Sequence, residues 1–100
     1  MTLLWLQRTD STNSEALRRL PELLSGTVLA AREQTAGRGQ RGNSWFTEPG
    51  KNLTFSIVLK FGGEGELPTL PVADAPWLNI LTARTLALFL EARGIACSVK

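Results

Sequence analysis

A glycine- and arginine-rich stretch from Glu33 to Trp45 limits the folds open to this sequence more than any other feature. It holds three glycines and two arginines and ends at a tryptophan, and strand-like segments lie on both sides of it. Glycine lets a backbone approach a ligand closely, arginine supplies positive charge, and indole offers a flat stacking surface. The stretch therefore predicts a loop between two strands that can wrap an anionic ligand.

The rest of the sequence alternates strand and helix patterns. Helices are predicted to open at Ser11–Glu15, where Thr12 and Glu15 have capping-box spacing, and at Asp74, which has a proline two residues later. Pro21 kinks the first helix or starts a second short turn, and an apolar stripe on the second helix predicts packing on a sheet. Trp5 and Trp77 are assigned to the core. Strands are predicted at residues 3–7, 27–31, 52–60 and 95–100.

Composition excludes several classes of function. The chain has no histidine, which removes histidine catalysis and histidine metal ligation, and a single cysteine, Cys97, which removes an internal disulfide and a cysteine-rich zinc site. The net charge of +2 decides nothing about partners. No apolar run approaches the roughly 20 residues that span a bilayer, and the first residues lack signal-peptide features. A cytoplasmic location without membrane association is expected.

The local chemistry of the loop leaves several interpretations open. Gly37 to Gly42 fits the G-x-G-x-x-G pattern, but the residues that follow do not start a helix, as a dinucleotide site requires. The Walker A pattern fails because no Lys-Ser or Lys-Thr follows the glycines. A solvated hairpin loop is the plain alternative. A nucleic-acid-binding loop is another, although two arginines give a poor electrostatic footprint.

Three motifs in register carry a resemblance to a known family. Ser11-Thr12-Asn13, the Glu33–Trp45 stretch and Gly50-Lys51-Asn52-Leu53 together resemble the first half of the catalytic domain of biotin protein ligases. The resemblance implies an α+β fold like that of class II aminoacyl-tRNA synthetases, a mixed sheet with helices packed on it. It also implies that biotin reacts with ATP, with Mg²⁺, to give biotinyl-5′-AMP. A lysine of biotin carboxyl carrier protein, an acetyl-CoA carboxylase subunit, then takes the biotinyl group.

The resemblance assigns biotin-binding roles along the chain. Arg38 and Lys100 are the expected catalytic residues, with Lys100 standing where the family carries its catalytic lysine. Without the family, Thr12 would be a helix cap and Gln34 a surface amide. The expected biotin-binding residues are Ser11, Thr12, Asn13, Gln34, Gly37, Arg38, Gly39, Gln40 and Lys100.

The nucleotide is expected at Arg38, Arg41, Asn43 and Trp45, and no metal ligand is assigned. Gln40 stands where a second arginine is common, and Asn43 stands where some relatives carry arginine, so the loop is less charged than in those relatives. Trp45 stacks with adenine or packs at the base of the loop. Arg41 keeps a charge one position beyond Gln40.

The sequence stops inside a predicted strand, so residues 1–100 are expected to be the N-terminal half of the catalytic domain, truncated at Lys100. Alone it is expected to be inactive, and no DNA-binding domain of the kind some relatives carry fits within it. An inactive fragment, a relative of lipoate ligases and a nucleic-acid-binding module are the alternatives. The oligomeric state is not predicted.

Overall fold

The computed structural model describes residues 2–63 and 67–99. They fall into two compact units, which divide after Leu67. In chain order, the strands are β1 (Leu3–Thr9), β2 (Val28–Gln34), β3 (Gly37–Arg38), β4 (Ser44–Trp45) and β5 (Thr54–Ile57), and the α-helices are α1 (Thr12–Arg18) and α2 (Ala75–Glu91).

The first unit is built on a mixed three-stranded sheet in the order β1-β2-β5. β1 and β2 are parallel, with Leu4 opposite Leu29, whereas β2 and β5 are antiparallel, with Leu29 opposite Ser56. Parallel neighbours need a crossover connection, and α1 lies in the segment that joins β1 to β2. The strands predicted at residues 3–7, 27–31 and 52–60 and the α+β class are confirmed, although β2 runs three residues farther than predicted and β5 is shorter.

The predicted capping box of Thr12 and Glu15 is wrong, because α1 begins one residue earlier than that box requires. Ser11 is the N-cap: its backbone is extended, and its Oγ accepts a hydrogen bond from the Ser14 N–H at 2.9 Å. Thr12 is therefore the first helical residue, and Glu15 is one position too late to complete a box. The helix ends at Arg18, and a separate 3-10 turn, Leu20–Glu22, follows, so Pro21 starts a second short turn.

The core of the first unit lies between α1 and one face of the sheet. Leu23, Leu29 and Val58 are buried there, with Leu4 and Leu6 packed against them. Side chains alternate across a strand, so Trp5 points to the opposite face. Its assignment to the core is wrong: Trp5 is 55% exposed, and the guanidinium carbon of Arg32 lies 5.5 Å from its ring centroid.

The second unit is dominated by α2. A 3-10 turn, Val72–Asp74, precedes the helix, and Asp74 at the N-cap position makes no side-chain capping bond. Gly94, at φ 80°, follows the helix as predicted. Trp77 is 59% exposed and is not a core residue, and the described residues 95–99 form no strand, contrary to prediction.

The apolar stripe of α2 is half or more exposed at Leu81, Leu88 and Phe89, and the packing of this helix on a sheet stays a prediction. Cys97 is half-buried, and its Sγ lies 3.5 Å from the Ala87 carbonyl oxygen. Among the described helices, none is long and apolar enough to cross a membrane.

Candidate functional site

An open cavity of about 660 Å³ lies in the first unit, beside the end of β2 and the start of α1. Its volume is within the range of small-molecule sites, roughly 300–1,000 Å³. The sequence analysis predicted five of its lining residues as site residues, from two separate segments of the sequence. These five are Ser11, Thr12, Asn13, Gln34 and Arg38.

A hydrogen bond across 22 positions in the sequence joins these two segments. The backbone N–H of Thr12 donates to Oε1 of Gln34 at 2.9 Å, while Thr12 itself is 3% exposed. A buried N–H needs a partner, so this bond fixes which end of the Gln34 amide faces Thr12. The Nε2 end of Gln34 is left to donate on the wall of the cavity. Gln34 is therefore more than a surface amide.

Ser56, on β5, adds a polar group from the sheet. Its Oγ lies 2.7 Å from the Thr12 hydroxyl and donates to Oδ1 of Asn13. The register that pairs Ser56 with the fully buried Leu29 directs its side chain to the α1 side of the sheet. Thr12, Asn13, Gln34 and Ser56 are thus joined into one cluster of hydroxyl and amide groups, and Ser11 lines the same cavity.

A charged cluster supports the turn that carries Ser11. Arg18 donates to both carboxylate oxygens of Asp10, at 2.7 and 3.0 Å, and to Glu15 at 2.6 Å. Oδ1 of Asp10 also accepts from the Ser11 N–H at 2.7 Å. The hydrogen bonds from Arg18, and then that from Ser11, hold the pKa of Asp10 well below its ordinary value. The carboxylate therefore stays charged wherever the protein would normally work.

The glycine-rich loop folds into a small hairpin. β3 and β4 are antiparallel, and the Gly39 N–H donates to the Asn43 carbonyl at 2.6 Å. The turn between them places Arg41 in the left-handed region at φ 56°, next to Gly42 at φ 78°. The helical structure between Gly39 and β4 is limited to the 3-10 turn Gln40–Gly42. The dinucleotide-binding alternative fails here because no α-helix opens at Gly42.

The remaining predicted site residues are distributed along this hairpin. Arg38 is exposed and lines the cavity, whereas Gly37 is buried at the start of β3. Arg41 and Asn43 are exposed at the hairpin turn, and neither is among the described lining residues. The backbones of Gly39, Gln40 and Trp45 belong to the hairpin. Lys100 lies outside the described residues.

Several residues of the site were missed by the sequence analysis. Ser56 had one available signal, since Thr54 and Ser56 place hydroxyls at alternate positions of an otherwise apolar strand. Asp10 and Arg18 had no such signal in the sequence, because their pairing depends on where α1 begins and how it is oriented. Phe46 and Thr47, just after the predicted loop, also line the cavity, and Phe46 is 89% exposed.

Comparison with known proteins assigns the family. The sequence model of the Biotin/lipoate A/B protein ligase family matches residues 5–100, so the chain belongs to that family. This membership confirms the class II synthetase-like α+β fold that the resemblance implied.

Curated relatives agree with this assignment. The chain is 44% identical over 92 residues to a biotin–[acetyl-CoA-carboxylase] ligase of Paracoccus denitrificans, covering 92% of this chain and 34% of that protein. It is 32% identical over 97 residues to the bifunctional ligase/repressor BirA of Bacillus subtilis, covering 95% of this chain and 27% of the relative. It is 50% identical over 51 residues to BirA of Escherichia coli, covering 51% and 16%. The chain thus spans about a third or less of the length of these relatives.

Proposed function

We propose that the protein carrying this chain is a biotin protein ligase. It activates biotin with ATP as biotinyl-5′-AMP and transfers the biotinyl group to a lysine of biotin carboxyl carrier protein, in the cytoplasm. The family assignment supports ligase chemistry, and the relative from Paracoccus denitrificans carries the name of this activity. The observation that carries the proposal for this chain is the polar cluster around Thr12 and Gln34.

This cluster has the chemistry that a ureido head requires. A ureido group presents one carbonyl acceptor and two N–H donors, and each needs a partner when it leaves water. Gln34 offers its Nε2 donors, and the hydroxyl of Thr12 can accept, with both side chains held by bonds within the protein. Ser11 and Asn13 continue the polar wall on either side of Thr12. The head of biotin binds here without leaving its polar groups unpaired.

Arg38 is proposed to stabilise the negative charge that develops in the reaction. Its guanidinium belongs to the hairpin strand that borders the cavity, and it can donate to the carboxylate of biotin and to the α-phosphate of ATP. As the carboxylate attacks that phosphorus and pyrophosphate leaves, negative charge shifts between these oxygens. Lys100 is proposed as a second cation on the same groups. Mg²⁺ enters with ATP as part of the substrate.

The hairpin is proposed to carry the nucleotide contacts as well. Arg41 and Asn43 would face the phosphates and ribose, and Trp45 would stack with adenine or pack at the base of the hairpin. Gln40 replaces a charged donor by a neutral one, which weakens its hold on the adenylate. Gly37 and Gly39 allow the backbone to approach biotin on the cavity side.

The same family includes lipoate ligases, which makes lipoate the competing substrate. The head of lipoate is a dithiolane ring with no hydrogen-bond donor. Such a head would leave the Nε2 donor of Gln34 without a partner, at a cost of about 1–3 kcal/mol for a donor that is shielded from water. The polar cluster therefore favours biotin.

Pyrophosphate exchange tests the proposal directly. The protein carrying this chain, given ATP and labelled pyrophosphate, should form labelled ATP when biotin is added and not when lipoate is added. A matched reaction with Gln34→Ala should need more biotin for the same rate. Exchange that depends on lipoate would reassign the substrate, and no exchange with either acid would refute the ligase proposal.

A further inference from the structure

Ser56 occupies an unusual place relative to the cavity. It is half-buried on β5, and its side chain points to the α1 side of the sheet. Its neighbours Thr54 and Phe55 are lining residues, whereas Ser56 is not among the described ones. Its partners, Thr12 and Asn13, do line the cavity. Ser56 therefore contacts the cavity wall through those two side chains.

The hydrogen bonds of Ser56 have a definite direction. A serine hydroxyl has one proton, and Ser56 donates it to Oδ1 of Asn13. The 2.7 Å contact between the Ser56 and Thr12 hydroxyls must then use the Thr12 proton, with Ser56 accepting. The other available acceptor for Thr12, Oε1 of Gln34, is 3.5 Å away, at the limit of a hydrogen bond. The Thr12 proton consequently points toward Ser56.

The direction of these hydrogen bonds determines which donors and acceptors face a ligand in the cavity. With its proton committed to Ser56, Thr12 Oγ1 presents lone pairs as an acceptor. With its oxygen held by Ser56, Asn13 presents its Nδ2 donors, in the same way that Gln34 presents Nε2 because its oxygen is held by the Thr12 N–H. One acceptor beside two amide donor groups complements the N–H and C=O groups of a ureido ring.

We propose that Ser56 is a positioning residue for the biotin head, which orients the Thr12 hydroxyl and the Asn13 amide so that the site accepts from the ureido N–H and donates to its carbonyl. This inference rests on the proposed biotin-binding function. It assigns Ser56 a role in ligand selectivity and not only in holding β5 to α1. Without the Ser56 hydroxyl, Thr12 can turn its proton elsewhere and the Asn13 amide is free to flip.

The test compares Ser56→Ala, Ser56→Thr and the matched control Ser25→Ala. Ser25 also makes one hydrogen bond to β5's continuation, its Oγ accepting from the Lys60 N–H at 2.9 Å, but it does not line the cavity. Calorimetry on the protein carrying the chain measures binding of biotin and of 2-iminobiotin, in which an imine N–H replaces the ureido carbonyl. Thermal unfolding of each variant is recorded alongside.

Ser56→Ala should weaken biotin about tenfold, the value of one ordered hydrogen bond, while 2-iminobiotin changes less than about threefold. Ser56→Thr should restore the preference for biotin, and Ser25→Ala should leave both affinities unchanged. Equal losses for the two ligands, or wild-type affinities in Ser56→Ala, would overturn the positioning role alone. A wild-type protein that binds no biotin would overturn both this role and the function on which it rests.

Discussion

Replacing Gln34 separates the structural from the ligand-binding use of one side chain. In Gln34→Ala, the Thr12 N–H loses its acceptor in a residue that is only 3% exposed. An unpaired buried donor costs about 1–3 kcal/mol, so the free energy of unfolding should fall by that amount. The same change removes the Nε2 donor from the cavity. Loss of that bond should weaken biotin about tenfold.

Gln34→Glu divides these two effects. A carboxylate oxygen can still accept from the Thr12 N–H, so the free energy of unfolding should change by less than about 1 kcal/mol. The other oxygen cannot donate to a ureido carbonyl and repels it, so biotin affinity should fall at least as far as in Gln34→Ala. The exposed Gln7 on β1 gives the control, because Gln7→Ala and Gln7→Glu make the same chemical changes away from the cavity.

Denaturant unfolding and calorimetry with biotin are the two assays, each on the same five proteins: wild type and the variants at the two glutamines. Full biotin affinity in Gln34→Glu would show that Nε2 does not donate to the ligand. Unchanged unfolding in Gln34→Ala would show that Thr12 does not depend on this bond. Both results together would remove the reason for placing the ureido head at this cluster.

Three further changes test other parts of the molecule. Arg38→Ala should lower the rate of pyrophosphate exchange about 10²–10³-fold. Arg8 is an exposed arginine on β1, and Arg8→Ala should leave the rate unchanged. Equal rates in the two variants would contradict the role of Arg38. Because the folded pKa of Asp10 is depressed, its stabilisation is present above the ordinary carboxyl pKa of 3.8 and is lost as the pH falls below it. Asp10→Asn should therefore flatten the decline in melting temperature between about pH 5 and pH 2, and a parallel decline would argue against the Arg18 pair. Leu29→Ala should reduce the free energy of unfolding by about 2–5 kcal/mol, and a loss below 1 kcal/mol in denaturant unfolding would contradict its place in the core.

Local sequence predicted the elements of the fold better than their exposure. Strand β1 was recognisable, but Leu3 to Leu6 is apolar at every position, so its pattern could not tell which face is buried. Only the packing of α1 on the Leu4 and Leu6 side decides it, which leaves Trp5 exposed. The helix cap failed for a related reason. Ser11 and Thr12 are both capping residue types, but the Thr12 hydroxyl is bonded to Ser56, which is distant in sequence, and the Ser11 hydroxyl makes the capping bond.

The residues of the site also fall into two groups: those that local sequence predicts and those that only tertiary contacts bring to the site. Its predicted members, such as Thr12, Gln34 and Arg38, came from motifs that are local in sequence. Ser56 belongs to the site because of strand register: the pairing of β2 with β5 brings it within hydrogen-bond distance of Thr12, 44 positions earlier. No pattern within β5 specifies that pairing, since a shift of one residue would turn Ser56 to the other face. The polarity of the site therefore depends on tertiary structure even where its residues are recognisable.

The pairing between β1 and β2 extends past both strands into the site. The Thr35 N–H donates to the Thr9 carbonyl at 3.0 Å, and the Ala36 N–H donates to the Asp10 carbonyl at 2.7 Å. These bonds fix the Ser11 turn relative to the start of the hairpin, one residue before Gly37. The polar cluster and the strand that carries Arg38 are consequently held to one backbone frame. Because the strand that carries Arg38 and the donors around Gln34 share that frame, their backbone positions are set before a ligand arrives, which favours the electrostatic stabilisation proposed for Arg38.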